Sequence, residues 1–158
     1  VMLYIIYAFR NVEQAYVYAI SAIITLVHDV LVVMGLFILI SLFVGSVVNS
    51  IFIVGILTVI GYSVNDTIVI FDRIRENLIV NKSTEFINVV NMSVRESVTR
   101  SIGTSVTTSI VILSMLLFGG QSLRDFLIVL LLGVIIGTYS SIFVASNLLL
   151  TWKYGLRK

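Results

Sequence analysis

Four stretches of this sequence are long and apolar enough to cross a lipid bilayer, and no other feature constrains the fold as much. A transmembrane helix needs roughly 20 mostly apolar residues. The stretches run from about Tyr16 to Ile40, Ile51 to Phe71, Val98 to Phe118 and Phe126 to Trp152. Val1 to Phe9 is also apolar but too short to span. It reads as the end of a further helix whose beginning is missing, and the chain, which opens on Val, reads as a truncation. Only 11% of the 158 residues are charged and 59% are hydrophobic. A soluble domain carries about 25% charged residues, and one this small leaves much of its surface in water. The expected fold is therefore an all-α polytopic membrane protein, a transmembrane helix bundle.

The segments between spans differ in charge. Arg10 and Glu13 precede the first full span, and Ser41 to Ser50 carries no charge. Asp72 to Ser97 holds Arg73, Arg75, Lys82 and Arg95, and the tail ends on Lys153, Arg157 and Lys158. Counting Lys and Arg puts the first, third and final polar segments in the cytoplasm. The C-terminus is then cytoplasmic, with Trp152 and Tyr154 at the interface. Within residues 72–97, Ile74, Leu78, Ile79, Phe86, Ile87, Val90 and Met92 recur among polar residues. That spacing fits one or two amphipathic helices on the cytoplasmic surface, or an ordinary helical linker. The chain has no Cys and no Pro, so thiol chemistry is absent and any kink must come from Gly or Ser. No basic segment of a signal peptide opens the chain.

Charge inside a span is costly, roughly 2.5–3.5 kcal/mol on insertion scales. Asp66 is the foremost case. It lies about six residues before the cytoplasmic end of its helix, about 9 Å deep at the helical rise. Thr58, Tyr62, Asn65 and Asp72 form a polar stripe with Asp66 on its edge, a stripe expected to point into a bundle. Arg100 opens the next span and can reach the level of Asp66; a snorkelling interfacial arginine is the plainer reading. After it come Gly103, Thr104, Thr107, Thr108 and Ser114, hydroxyls that hydrogen-bond between helices or order water. Asp29 sits near mid-span beside His28, with Ser21 and Thr25 at four-residue steps. A mid-membrane Asp points to function, whereas His28 fits a hydrogen-bonding role as well. Gly133, Gly137 and Ser141 share one helix face, which reads as close helix packing without chemistry. A phosphate-cradling loop is missing, and one His beside carboxylates is too little for a transition-metal site. No cofactor is expected other than protons.

Several strings resemble a known family. GYSVNDTIVIFDRIREN, Gly61 to Asn77, resembles the SecF signature of the SecD/SecF family of bacterial protein-export membrane proteins. The His28–Asp29 pair, RSIGTSVTTS from Arg100 to Ser109 and GTYSSIFVAS from Gly137 to Ser146 fall where that family has similar runs. FRNVEQA, Phe9 to Ala15, is a looser match. The resemblance implies a fold within the resistance-nodulation-division (RND) superfamily: half of a pseudo-symmetric membrane domain, six membrane helices and a periplasmic domain between the first two. This chain would hold the end of the second helix and helices three to six. The resemblance also implies a bacterial inner-membrane subunit that pairs with SecD. It would assist the SecYEG translocon in moving preproteins at the expense of the proton motive force, with YidC or YajC as further neighbours and no nucleic acid. The family's proton-coupling Asp maps onto Asp66, next to Asn65, and its arginine onto Arg100; the HD pair maps onto His28 and Asp29. A carboxylate supplied by SecD lies outside this chain.

Other readings stay open at this point. A proton-coupled RND exporter of lipids or drugs shares the fold but carries both halves in one chain. A fused SecD–SecF polypeptide is a third form. An intramembrane aspartyl protease would use Asp29 and Asp66 as a dyad, although Val64–Asn65–Asp66 stands where such enzymes have GxGD. Of these only the protease would be an enzyme.

Overall fold

The computed structural model describes residues 15–45, 48–81 and 84–155. The apolar segment before residue 10, Arg10, Glu13, Lys82 and the last three residues lie outside these, as do the side chains of Lys153 and Tyr154. Helix α1 runs Ala15–Val44, α2 Ser50–Val80 and α3 Phe86–Phe118. A short 3₁₀ turn, Gln121–Leu123, leads into α4, Arg124–Ser140. A π-helical segment, Ser141–Ala145, then joins α4 to α5, Ser146–Gly155. Among the described residues four helical stretches are long and apolar enough to cross a membrane, the last formed by Gln121–Trp152.

Local chemistry sets the ends. Gly45 follows α1 with φ of +72°, a backbone state that a side chain disfavours, and its N–H reaches Ser41 O at 2.9 Å. Asn49 caps α2, its Oδ1 accepting from Phe52 N at 2.9 Å, which satisfies an amide the helix itself cannot. The stretch 72–97 is not a separate surface element. Residues 72–80 continue α2 and residues 86–97 open α3, so both spans run on past the apolar limits read from composition. The extensions are tied together. Arg73 bonds Glu96 at 2.8 Å and Glu76 at 2.5 Å, and Asn77 Nδ2 donates to Ser93 and Glu96, both at 2.9 Å.

Helix α4 is the hub: it touches α1, α2 and α3, and its most extensive packing is on α2. The two run parallel, and small residues set their approach. A Cβ added at Gly133 would collide with the Val59 side chain, and one at Gly137 would lie 3.4 Å from Ser63 Cα. One helical turn later the same register brings Ser141 onto Asp66.

The interior is layered. Val33, Phe37, Phe52, Val59 and Val129 form one apolar cluster. Tyr18, Ala22, Ile70, Phe71, Ile74, Ile142 and Leu149 belong to another. Between these clusters, along α1, α2 and α4, lies a buried polar layer of Asp29, Ser63, Asp66, Thr67, Thr138, Ser140 and Ser141. Helix α3 adds Ser101 and Ser105 from a buried stripe that steps by four residues from Ser93. Its apolar side chains, Ile102, Val106, Ile110 and Val111, are exposed instead. A helix with serines inside and isoleucines outside fits a lipid solvent, where helices associate through close packing and hydrogen bonds rather than by hiding apolar surface.

Candidate functional site

The polar layer contains two carboxylates, held differently. Asp66, 7% exposed, accepts from Ser101 Oγ of α3 at 3.0 Å and from Ser141 Oγ of the π segment at 2.6 Å. Hydrogen bonds from two neighbouring elements offset part of the cost of removing the group from water. Beside it lies a cavity of about 100 Å³ lined by Tyr62, Asn65, Asp66, Val69, Arg100 and Thr104, with Ser101. Asn65, Arg100 and Thr104 are exposed on the outside of the bundle. Tyr62 Oη meets Ser105 Oγ at 3.1 Å, and Ser105 hydrogen-bonds Thr138, so a further set of hydroxyls stitches α2, α3 and α4 together.

Asp29 is fully buried. Its two carboxylate oxygens accept from His28 Nδ1 at 3.0 Å and from Ser63 Oγ of α2. His28 itself is partly exposed. Below it on the same face, Thr25 Oγ1 donates to Ser21 O at 2.9 Å. Asp29 therefore anchors α1 to α2 one turn before Asp66.

Several expectations are sharpened or corrected. Asp66, Asn65 and Arg100 are brought together around one cavity, but among the described residues no ion pair joins Arg100 to Asp66. The carboxylate is held by serines. Of the stripe Thr58, Tyr62, Asn65 and Asp72, only Tyr62 turns toward a neighbouring helix of this bundle, at Ser105; Thr58, Asn65 and Asp72 are exposed, and the buried face of α2 includes Val59, Ser63, Asp66 and Ile70. The threonines after Arg100 mostly satisfy themselves, Thr107 donating to Gly103 O at 3.1 Å and Thr108 to Thr104 O at 2.8 Å. Ser141 proves to be more than a packing residue, because it bonds Asp66. Sequence reasoning missed Ser63, Ser101 and Ser141 as carboxylate partners. A signal was present for two of them: Ser101 belongs to the four-residue serine repeat of α3, and Ser141 continues the Gly133 and Gly137 face of α4; Ser63 had none. The two aspartates form no dyad: each has its own hydrogen-bond set, whereas a proteolytic pair shares one proton between touching carboxylates.

Fold and site together define an integral membrane helix bundle with hydrogen-bonded carboxylates in its interior. Comparison with known proteins gives that class a family. Residues 1–155 match the family model for protein export membrane protein SecD/SecF, C-terminal, and the chain belongs to this family. It is 45% identical to the protein translocase subunit SecF of Thermobaculum terrenum over 150 residues, 95% of this chain and 47% of that protein. It is 44% identical to the protein of the same name from Anaerolinea thermophila over 156 residues, 98% of this chain and 51% of that one. Its structure is similar to the crystal structure of SecDF, a translocon-associated membrane protein, from Thermus thermophilus. There the TM-score is 0.84 at 38% identity, over 97% of this chain and 20% of that one. SecDF in a "super-membrane-facing form" gives 0.86 at 36% identity, over 99% and 20%. The chain thus spans about half the length of the SecF proteins it resembles.

Proposed function

We propose that the chain is the membrane portion of a proton-coupled ancillary subunit of the Sec translocase, in which Asp66 carries the proton. One observation carries the reading: a buried carboxylate opens onto a small cavity that ends in an exposed arginine. A purely structural carboxylate has no use for that opening. On the cytoplasmic side a second cavity of about 440 Å³, lined by Asp72, Arg73, Glu76, Glu96 and Ser97, shares Val69 and Arg100 with the first. It offers water a route to within one side chain of Asp66.

The exposed Thr58, Asn65, Arg100 and Thr104 support a partner subunit. Polar groups facing lipid are expensive, and a second membrane protein covering this face would remove the expense. The kinship with SecF proteins supports SecD as that partner, which would supply the facing carboxylate. SecYEG would be the translocon served, YidC or YajC further neighbours, and the bacterial inner membrane the location, with the C-terminus cytoplasmic. Arg100 would then choose between the partner's carboxylate and an ionised Asp66. Protonating Asp66 removes one option and biases a two-state helix arrangement. One charge crossing the membrane potential releases about 2.3 kcal/mol per 100 mV, so several protons supply useful work. The subunit is an accessory rather than an enzyme. A lipid or drug exporter is disfavoured because the matched relatives are SecF proteins.

The test uses the full-length gene with its partner. Asp66→Asn or Arg100→Lys should abolish the export that depends on the proton gradient while membrane insertion and partner binding persist. Normal gradient-dependent export in both variants would sink the proposal.

A further inference from the structure

Ser141 occupies an unusual position. Its Oγ lies 2.6 Å from Asp66 Oδ2 and 3.1 Å from the backbone carbonyl of Thr138. Both acceptors are within hydrogen-bond range, yet a hydroxyl carries one proton. Ser141 is fully buried, so water does not serve the acceptor that is left out. The choice must follow the charge on Asp66. An ionised carboxylate is the stronger acceptor and takes the proton. A neutral carboxyl whose Oδ2 carries the proton needs an acceptor there, and Ser141 can serve only by turning its own proton to Thr138.

The location makes the turn consequential. Ser141 is the first residue of the π-helical segment, where the backbone hydrogen-bond step widens from four residues to five. Its own amide already reaches the carbonyls of Gly137 and Thr138, and Ser146 Oγ approaches Ser141 O at 3.5 Å. Donation to Thr138 O adds a competitor at the junction where α-helical and π-helical ladders meet. The other groups near Asp66 offer no equivalent. Ser101 donates from α3 to the other carboxylate oxygen. Arg100 and Tyr62 line the cavity, and the carboxylate of α1, Asp29, is engaged with His28 and Ser63.

We propose that Ser141 is a positioning residue that reads the protonation state of Asp66. Its single proton goes to Asp66 when the carboxylate is charged and to the Thr138 carbonyl when it is neutral, carrying the change into the last membrane helix. This rests on Asp66 being the proton carrier, and the experiment separates the two claims.

The measurement is infrared difference spectroscopy between neutral and acid pH on the full-length protein with its partner in lipid vesicles. Asp66→Asn identifies the carboxyl band of Asp66. Isotope-labelled threonine carbonyls, with Thr138→Ser as reference, identify that of Thr138. Acidification should make the Asp66 carboxyl band appear and, in step, move the Thr138 carbonyl to lower frequency as it gains a hydrogen bond. Ser141→Ala should abolish the Thr138 shift and raise the Asp66 carboxyl frequency. Ser141→Thr, which keeps the hydroxyl, should restore both. Ser140→Ala is the matched control. Ser140 is equally buried, but its hydroxyl donates to Gly137 O at 3.2 Å, so its removal should leave both bands in place. An Asp66 band that appears while the Thr138 carbonyl stays silent overturns the role of Ser141 alone. No Asp66 band at all overturns the proton-carrier reading and this inference with it.

Discussion

Asp29 and Asp66 are one helical turn apart in the same polar layer, and each accepts two side-chain hydrogen bonds. Their surroundings differ. Asp29 is sealed, and both of its donors face it alone. Asp66 borders a cavity with Arg100, and one of its donors, Ser141, has a second acceptor in reach. A buried carboxylate that is fully engaged and sealed behaves as a fastener. One with an opening, a nearby cation and a donor able to turn away can change its charge without stranding its neighbours. Under the proposed function, that contrast gives proton traffic to Asp66 and leaves the α1–α2 joint to Asp29.

The largest effect expected from the contrast is on stability. Asp29→Ala strands the Ser63 hydroxyl in a dry site and removes the partly exposed bond from His28, and should cost about 2–4 kcal/mol, at about 1–3 kcal/mol for the buried unsatisfied group and about 1 kcal/mol for the other bond. Asp66→Ala should cost about half as much, because Ser141 falls back on the Thr138 carbonyl and the cavity admits water to Ser101. Reversible unfolding in mixed micelles compares the two. Equal costs would erase the distinction between sealed and open sites.

A smaller effect separates the serines. Ser63→Ala removes a donor that nothing can replace and should cost about 1–2 kcal/mol. The value lies between soluble charged hydrogen bonds and the weaker averages found between membrane helices. Ser101→Ala should cost under about 1 kcal/mol. Its cavity of about 100 Å³ far exceeds the roughly 10–15 Å³ that one water needs, and a bridging water nearly matches a direct bond. A costlier loss at Ser101 would mean that the cavity is dry.

The existence of the spans was legible because apolar length alone reports it. The limits of α2 and α3 were not, since residues 72–80 and 86–97 are polar enough to read as separate surface helices or a helical linker; they continue the spans, tied by the Arg73, Asn77, Ser93 and Glu96 bonds that one helix lends the other. Asp66 stood out by cost. Its partners did not, because a serine inside a membrane helix is cheap and common. Recognising Ser141 as a ligand required the α2–α4 register that Gly133 and Gly137 permit. The inward face of α2 was misjudged for a related reason. Thr58, Tyr62, Asn65 and Asp72 form a polar stripe, and polarity in a membrane suggests an interior, but only Tyr62 of the four meets a neighbouring helix here, and this interior is lined by Val59, Ser63 and Asp66. Periodicity finds a stripe; it does not say whether the stripe meets this chain or another.

His28 tests the fastener at its weakest point. Its Nδ1 is 3.0 Å from Asp29 Oδ1, close enough to invite a paired reading of the two residues. Yet its side chain is 38% exposed and that of Asp29 is not exposed at all. The ring therefore reaches the outer surface of the bundle, while Ser63 remains on the dry side. Replacing His28 by Gln keeps a donor of similar reach and should change stability by less than about 1 kcal/mol, in the range of exchanging one partly exposed hydrogen bond for another. Gradient-dependent export should stay close to wild type, because the proposed proton path runs through the Asp66 cavity. If His28→Gln stops export as completely as Asp66→Asn does, His28 and Asp29 belong to the proton path, and the division between a sealed fastener and an open carrier has to be abandoned.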